Sequence, residues 1–118
     1  MVRAFPAAEP YSALRAYLVL ICYAAHHRTI TYGELAQRIQ RGGPNLLKEP
    51  LDCLTRWCQR EGLPAITSLV VEQTTGLPAP GFTVVPRDEI PAEQERVWGR
   101  DWISFLPPTI EELAQKSN

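Results

Sequence analysis

The sequence has few cysteines and almost no excess of charge, and both shortages limit what the protein can be. Only three cysteines occur among the 118 residues, and none belongs to a CxxC pair. A small, odd number of cysteines is typical of reduced thiols in a cytoplasmic protein and does not build a disulfide framework. The formal net charge of −1 argues against a protein that is basic all over and coats nucleic acid.

Long hydrophobic runs and catalytic patterns are also missing. The apolar stretch of residues 17–25 is too short to span a bilayer, and the first residues contain no clear signal-peptide core. We therefore expect a cytoplasmic protein without a membrane segment. No serine–histidine–acid set, pair of catalytic carboxylates or phosphate loop occurs at a recognisable spacing, so we expect no enzymatic activity.

A metal site is not expected either. Four possible zinc ligands can be counted, which are Cys22, His26, Cys53 and Cys58. They lack the paired spacing of zinc sites, and free cysteines are usually small buried hydrophobic residues. We predict no metal and no other cofactor, and the oligomeric state stays open.

The first half of the chain has the pattern of three helices. Apolar residues at helical spacing predict a first helix from Pro10 to about residue 26. Thr31 and Glu34 form a capping box, which predicts the start of a second helix after a short β-branched stretch. A third helix is predicted from Pro50 to Glu61, because a proline is tolerated in the first turn of a helix but not in its interior.

The second half predicts two strands and further helices. Residues 66–72 and 82–85 read as strands joined by an open loop, which would form a β-hairpin. Residues 93–102 predict a fourth helix, and a capping box of Thr109 with Glu112 predicts a last short one. The order of helix, strand, helix, turn, helix and hairpin is that of a winged helix, an α+β fold. A generic small α+β domain is the alternative.

The resulting domain organisation has three parts. We predict a flexible N-terminal arm, a winged-helix-like domain, and a C-terminal helical extension that packs on that domain. These parts cover residues 1–8, 9–86 and 87–118.

Three short segments support this fold by resemblance. They are ITYGELA at residues 30–36, Pro64 ahead of Val70-Val71, and Thr75-Gly76 followed by Gly81-Phe82. Together they resemble the "TYGELA" and "PCHRVV" motifs and the glycine-containing loop of the alkyltransferase-like proteins, winged-helix relatives of the alkylguanine-DNA alkyltransferases. The resemblance covers roughly residues 29–82.

The position of the reactive cysteine differs in this chain. By the match, Ala65 stands where the alkyltransferases carry their alkyl-accepting cysteine, and Ile66 and Thr67 replace the His-Arg that follows it. A methyl group cannot act as a nucleophile. The alkyltransferase-like branch also lacks the cysteine and binds damaged DNA without repairing it. The resemblance thus implies non-enzymatic binding of double-stranded DNA.

The candidate DNA-binding residues lie in the mildly basic middle of the chain. The third helix and the wing of a winged helix often face DNA, and Gly42-Gly43 would expose backbone amides that can hold phosphate beside the end of the second helix. We predict DNA contacts from Tyr32, Arg38, Arg41, Asn45, Lys48, Arg56 and Arg60.

Several of these residues also have a structural interpretation. The resemblance implies that Tyr32 contacts a phosphate or an extruded nucleotide, but Tyr32 could instead pack on the hairpin. Arg38 and Arg41 could belong to a solvated helix end, and Arg56 could form a surface ion pair with Asp52 four residues earlier.

The C-terminal part contains a cluster of aromatic residues. Trp98, Trp102 and Phe105 recur at i, i+4 and i+7, which predicts an aromatic stripe on one side of a helix. We expect this stripe to pack on the core. The alternative is a surface, with Arg100, for a protein partner, which the acidic flanks would suit if that partner is basic. The second functional hypothesis is therefore a protein-binding module such as an inhibitor, immunity or adaptor protein.

Overall fold

The computed structural model describes residues 9–39 and 46–115. Within these ranges the chain forms five α-helices and two short strands: α1 (Glu9–Ala25), β1 (Ile30–Thr31), α2 (Tyr32–Arg38), α3 (Lys48–Arg60), β2 (Val70–Val71), α4 (Ile90–Trp98) and α5 (Ile110–Ala114). The strands pair in parallel, with Ile30 opposite Val70. The fold is mainly helical with one small sheet, an α+β arrangement. The predicted arm of residues 1–8 lies outside the described residues.

The first helix organises the core. The buried side of α1 is built from small residues with Tyr17 and Leu20 among them, so neighbouring elements approach its backbone closely. It packs against α3, α5 and a buried segment of residues 66–69, and the Tyr17 ring meets the Trp57 ring edge to face at 5.7 Å. No helix within the described residues is long and apolar enough to cross a membrane.

Local signals explain the starts and ends of α2 and α3. The Thr31 hydroxyl accepts a hydrogen bond from the Glu34 amide at 3.2 Å, as the capping box predicts. Pro50 is the third residue of α3. Backbone N–H groups in the first turn of a helix have no intrahelical acceptor, so a proline there removes no helical hydrogen bond. At the other end, Gly62 has a positive φ of 69°, and the Leu63 amide donates back to the Cys58 carbonyl at 2.8 Å.

The predicted β-hairpin is wrong. Residues 66–69 form a turn of 3-10 helix, only residues 70–71 form a strand, and residues 82–85 form none. Ile66, Thr67, Ser68 and Leu69 are all buried, whereas one face of a hairpin strand would point outward. Because this segment is enclosed by α1, α3 and α4, packing overrides its β-branched composition.

Prolines and side-chain hydrogen bonds explain why no strand returns after β2. Pro78, Pro80 and Pro86 remove backbone donors that a returning strand would need. The Arg87 guanidinium donates to the Pro78 carbonyl at 2.8 Å, and the Tyr32 hydroxyl accepts from the Ala79 amide at 2.9 Å. The backbone of this loop is therefore bonded to side chains, and β2 pairs with β1 instead.

The C-terminal part contributes to the same core. Ile90, Val97, Trp102 and Leu113 are buried, and α5 packs against α1 and α3. The predicted single aromatic stripe is wrong, because α4 ends at Trp98 and the two later rings lie outside the helix. Trp102 is 4% exposed and Phe105 is 56% exposed, so the rings do not share one environment.

Replacing Trp102 by alanine tests this placement. We expect Trp102→Ala to lower the free energy of unfolding by about 3–5 kcal/mol, because a large buried ring is lost and a cavity remains. Its Nε1 donor, which bonds the Val97 carbonyl at 2.8 Å, is lost as well. Chemical denaturation followed by circular dichroism measures the change.

Phe105→Ala is the matched control, since both rings contact Arg100 but Phe105 is mostly exposed. We expect the control to lose much less stability. Equal losses in the two variants would contradict the burial of Trp102.

Candidate functional site

A groove lies between α3 and the loop of residues 79–84. It consists of two adjoining cavities of about 270 and 220 Å³, which together fall in the usual size range of ligand sites, about 300–1,000 Å³. Both cavities touch Asp52, Thr55, Gly81 and Phe82. The remaining lining residues are Tyr32, Leu47, Lys48, Leu51, Thr67 and Ala79 in the larger cavity and Arg56, Gln59, Thr83 and Val84 in the smaller one.

Two threonines form part of the groove wall where α3 meets the buried 66–69 segment. Their hydroxyl oxygens, Thr55 Oγ1 and Thr67 Oγ1, are 2.6 Å apart and share a hydrogen bond. Thr67 occupies the position of the arginine in the resembling motif. One hydroxyl of the pair keeps a free lone pair or proton for a ligand, since each hydroxyl can donate once and accept twice.

The position that matches the reactive cysteine is buried. Ala65 is 1% exposed, and its amide donates to Glu93 Oε2 at 2.7 Å. The other oxygen of Glu93 accepts from Arg96 Nε at 3.0 Å, which compensates the charge of this buried carboxylate. The turn that carries Ala65 is thus fixed by α4, and its side chain offers no nucleophile.

Tyr32 forms part of the wall nearest the loop. Its hydroxyl accepts from the Ala79 amide at 2.9 Å, so it holds the loop against the start of α2. Burial is the largest cause that raises the pKa of Tyr32, and the phenol stays protonated and able to donate. The expected packing partner of Tyr32, a hairpin, is replaced by this loop.

The charges at the groove are partly compensated. Lys48 and Asp52 form an exposed ion pair with 2.8 Å between Nζ and Oδ2, so Asp52 pairs with Lys48 and not with Arg56 as the sequence suggests. This pair raises the pKa of Lys48. Arg56 Nη2 lies 3.5 Å from Cys53 Sγ, and its Nε is buried without an acceptor among the described residues.

Other predicted DNA contacts lie away from the groove or outside the described residues. Arg38 pairs with Glu34 at 3.1 Å and stacks over the Tyr23 ring, with 5.8 Å from Cζ to the centroid. Arg60 donates to the backbone carbonyls of Glu112 and Gln115, and so fastens α5 to the end of α3. Arg41 and Asn45 lie outside the described residues.

The predicted partner-binding residues have separate environments. Trp98 donates from Nε1 to the Arg28 carbonyl at 3.2 Å, and its ring stacks on His27 with 6.0 Å between centroids. Arg100 lies over the Trp102 and Phe105 rings. Trp98 therefore covers the turn after α1, and Arg100 faces a different part of the surface.

Three groove residues were not singled out from the sequence. Thr55, Thr67 and Phe82 line the groove; Thr67 and Phe82 fall within the segments of the resemblance, whereas Thr55 has no signal in the sequence. The hydrogen bond between the two threonines joins residues that are 12 apart in sequence. No periodicity within one helix could have revealed this pair.

No thiol lines the groove. Cys22 is exposed on α1, whereas Cys53 and Cys58 are buried. Burial raises the pKa of Cys58 to about 12 and is the main cause that raises the pKa of Cys53. Within residues 9–39 and 46–115, no three histidine, cysteine or acidic side chains come together as metal ligands.

Comparison of the chain with protein-family models, with curated proteins and with solved structures found no match. The chemistry of the groove is therefore the starting point for a functional proposal.

Thiol titration tests the burial of the two α3 cysteines. At about pH 8 we expect Ellman's reagent to modify one thiol rapidly in the native protein, since only an accessible thiolate attacks. All three thiols should react once the protein is unfolded. Cys22→Ser is the control and should abolish the rapid native reaction; a second rapid thiol in the native protein would contradict the structure.

Proposed function

We propose that this chain is a non-enzymatic DNA-binding protein of the alkyltransferase-like type, and that the groove beside α3 receives a base extruded from a duplex. The observation that carries the proposal is the composition of the groove. Two aromatic side chains, Tyr32 and Phe82, line it together with the Thr55–Thr67 pair and the Lys48–Asp52 pair. Pockets for extruded bases combine aromatic or apolar walls with a few polar groups that read the edge of the base.

The polar groups of the groove suit the edge of a nucleobase. Asp52 can accept from an exocyclic amino group, and a threonine hydroxyl can donate or accept. The Tyr32 phenol, which stays protonated, can donate to a ring nitrogen, a carbonyl or a phosphate. These roles agree with the contact that the resemblance implies for Tyr32.

The cations near the groove would provide the attraction for the DNA backbone. Lys48 is exposed, and Asp52 is its ion-pair partner in the described part of the chain, so it can exchange that carboxylate for a phosphate at little cost. Arg56 lines the smaller cavity, about two turns beyond Lys48 along α3. With two nearby cations, we expect weak binding with a shallow dependence on salt.

The residues at the groove and at the cysteine position suit DNA binding without a covalent reaction. The residue at the cysteine position is Ala65, and Cys58 has a pKa far above neutral because it is buried. The threonine hydroxyls bond to each other and not to a general base. The three unpaired thiols support a reducing compartment such as the cytoplasm.

Part of the predicted winged-helix arrangement is kept in this proposal, with a loop in place of the hairpin. The order α1, β1, α2, α3 and then a loop resembles that of a winged helix, and we propose that the loop of residues 79–84 has the role of the hairpin beside the third helix. In this arrangement α3 and the loop face DNA together.

The proposal is tested by salt-dependent binding to a short fluorescent duplex with a central mismatch, since a mismatched base is the least costly to extrude. Changing Lys48 and Arg56 together to alanine should weaken binding and reduce the slope of log K against log salt by about one to two units, near 0.9 per lost phosphate contact. Fluorescence anisotropy at several salt concentrations measures both quantities.

The matched control changes Arg28 and Arg38 to alanine, which removes the same charge from exposed positions that do not line the groove. We expect its salt slope to equal that of the parent protein. Identical losses in both double variants, or no salt dependence in the parent, would contradict DNA binding at the groove.

A further inference from the structure

A second pocket, of about 490 Å³, lies where α1, the end of α3 and the segment of residues 100–106 meet. None of its residues lines the groove beside the Thr55–Thr67 pair. It is lined by Tyr17, Trp57, Glu61, Leu63, Arg100, Trp102, Ser104, Phe105 and Leu106. Its walls are mainly aromatic and aliphatic, as in most ligand sites.

Arg100 is a cation without a carboxylate partner in the part of the chain that the structure describes. Its guanidinium lies 4.3 Å from the Phe105 centroid and 5.3 Å from the Trp102 centroid, measured from Cζ. The Nε atom is shielded from solvent and has no acceptor within the described residues. The two rings thus hold the guanidinium in place.

The carboxylate nearest to Arg100 in sequence, that of Asp101, accepts hydrogen bonds from other groups. Asp101 Oδ1 accepts from the amides of Ile103 and Ser104 at 3.1 and 3.2 Å, and hydrogen bonding to Ser104 is the main cause that lowers the pKa of Asp101. This carboxylate closes the turn after Arg100 and forms no ion pair with it.

Trp57 lines the same pocket and carries a second N–H group without an acceptor among the described residues. The side chain is 5% exposed, and Nε1 has no hydrogen-bond acceptor among the described residues. Buried N–H groups nearly always have an acceptor, and an exception needs an explanation. Two such donors therefore belong to residues that line one pocket.

We propose that this pocket binds a carboxylate carried on an aromatic or branched apolar group, with Arg100 as its counterion. The planar guanidinium can hold both carboxylate oxygens. The apolar body of the ligand packs on Tyr17, Leu63 and Phe105. In place of the basic partner that the acidic flanks suggest, we expect an acidic ligand, because Arg100 has no ion-pair partner among the described residues.

One acidic residue at the pocket opposes this ligand. Glu61 is exposed at the end of α3 and lines the pocket, so its charge disfavours a bound carboxylate. Removing the Glu61 charge should strengthen binding, whereas removing the Arg100 charge should weaken it. These opposite changes distinguish a carboxylate site from a merely apolar cavity.

The test uses phenylacetate as the probe and phenylacetamide, its neutral isostere, as the control ligand. Titration is followed by the indole N–H resonances of Trp57 and Trp102 in two-dimensional NMR spectra. We expect saturable shifts with phenylacetate and at least about tenfold weaker binding of the amide, as when a hydrogen bond to a charged group is lost. Equal binding of both probes, or no saturable shift, would overturn the proposal.

Variants locate the charge that binds the probe. We expect Arg100→Gln to weaken phenylacetate binding about tenfold, Glu61→Gln to strengthen it, and Arg28→Gln, an exposed control outside the pocket, to leave it unchanged. Arg100→Lys keeps the charge without the planar fork and should bind between the parent and Arg100→Gln. Unchanged affinity in both Arg100→Lys and Arg100→Gln, or weaker binding by Glu61→Gln, would refute the assignment.

Two further probes identify the source of the carboxylate. N-acetylphenylalanine represents the end of a chain, and a longer peptide that ends in phenylalanine adds the rest of that chain. Tighter binding of the peptide than of phenylacetate assigns the pocket to a partner's C-terminus, whereas exclusion of the peptide assigns it to a small organic acid. Both results support a carboxylate site, and neither depends on DNA binding at the groove.

Discussion

The buried turn of residues 66–69 is the constraint on which the rest of the structure depends. Three side chains tie it to its neighbours: Thr55 bonds Thr67, Gln94 donates to the Ser68 carbonyl at 2.9 Å, and Glu93 accepts from the Ala65 amide. One of these bonds comes from α3 and two come from α4, so the turn fixes α3 relative to α4. It also sets the direction in which β2 leaves toward the loop of the groove.

Local signals in the sequence predicted the helices better than they predicted how the elements pack together. Caps and stops near Thr31, Pro50, Gly62 and Thr109 act within a few residues, and the observed ends of α2, α3 and α5 follow them. The strand expected at residues 66–72 became mostly 3-10 helix because enclosure by three helices outweighs β propensity. The hairpin failed because Tyr32 and Arg87, distant in sequence, bond the loop backbone, and no local pattern shows such contacts.

Charge patterns were a poor guide to the candidate sites for a related reason. The basic residues of the middle were treated as one surface, but Arg60 is used to hold α5 and Arg38 is paired with Glu34. In the acidic C-terminal part, the cation Arg100 has no ion-pair partner among the described residues. Net charge describes the long-range field, whereas a binding site depends on which individual charges lack a partner, and only the packed structure reveals those.

We propose that the groove between α3 and the loop of residues 79–84 is the surface that meets DNA. Amide chemical-shift mapping with a mismatched duplex tests it most directly, because every described backbone amide reports at once. The account predicts the largest shifts at residues that line the groove, such as Lys48, Thr67 and Phe82, and small shifts at residues 100–106. Shifts concentrated at residues 100–106, or none at the groove, would contradict it.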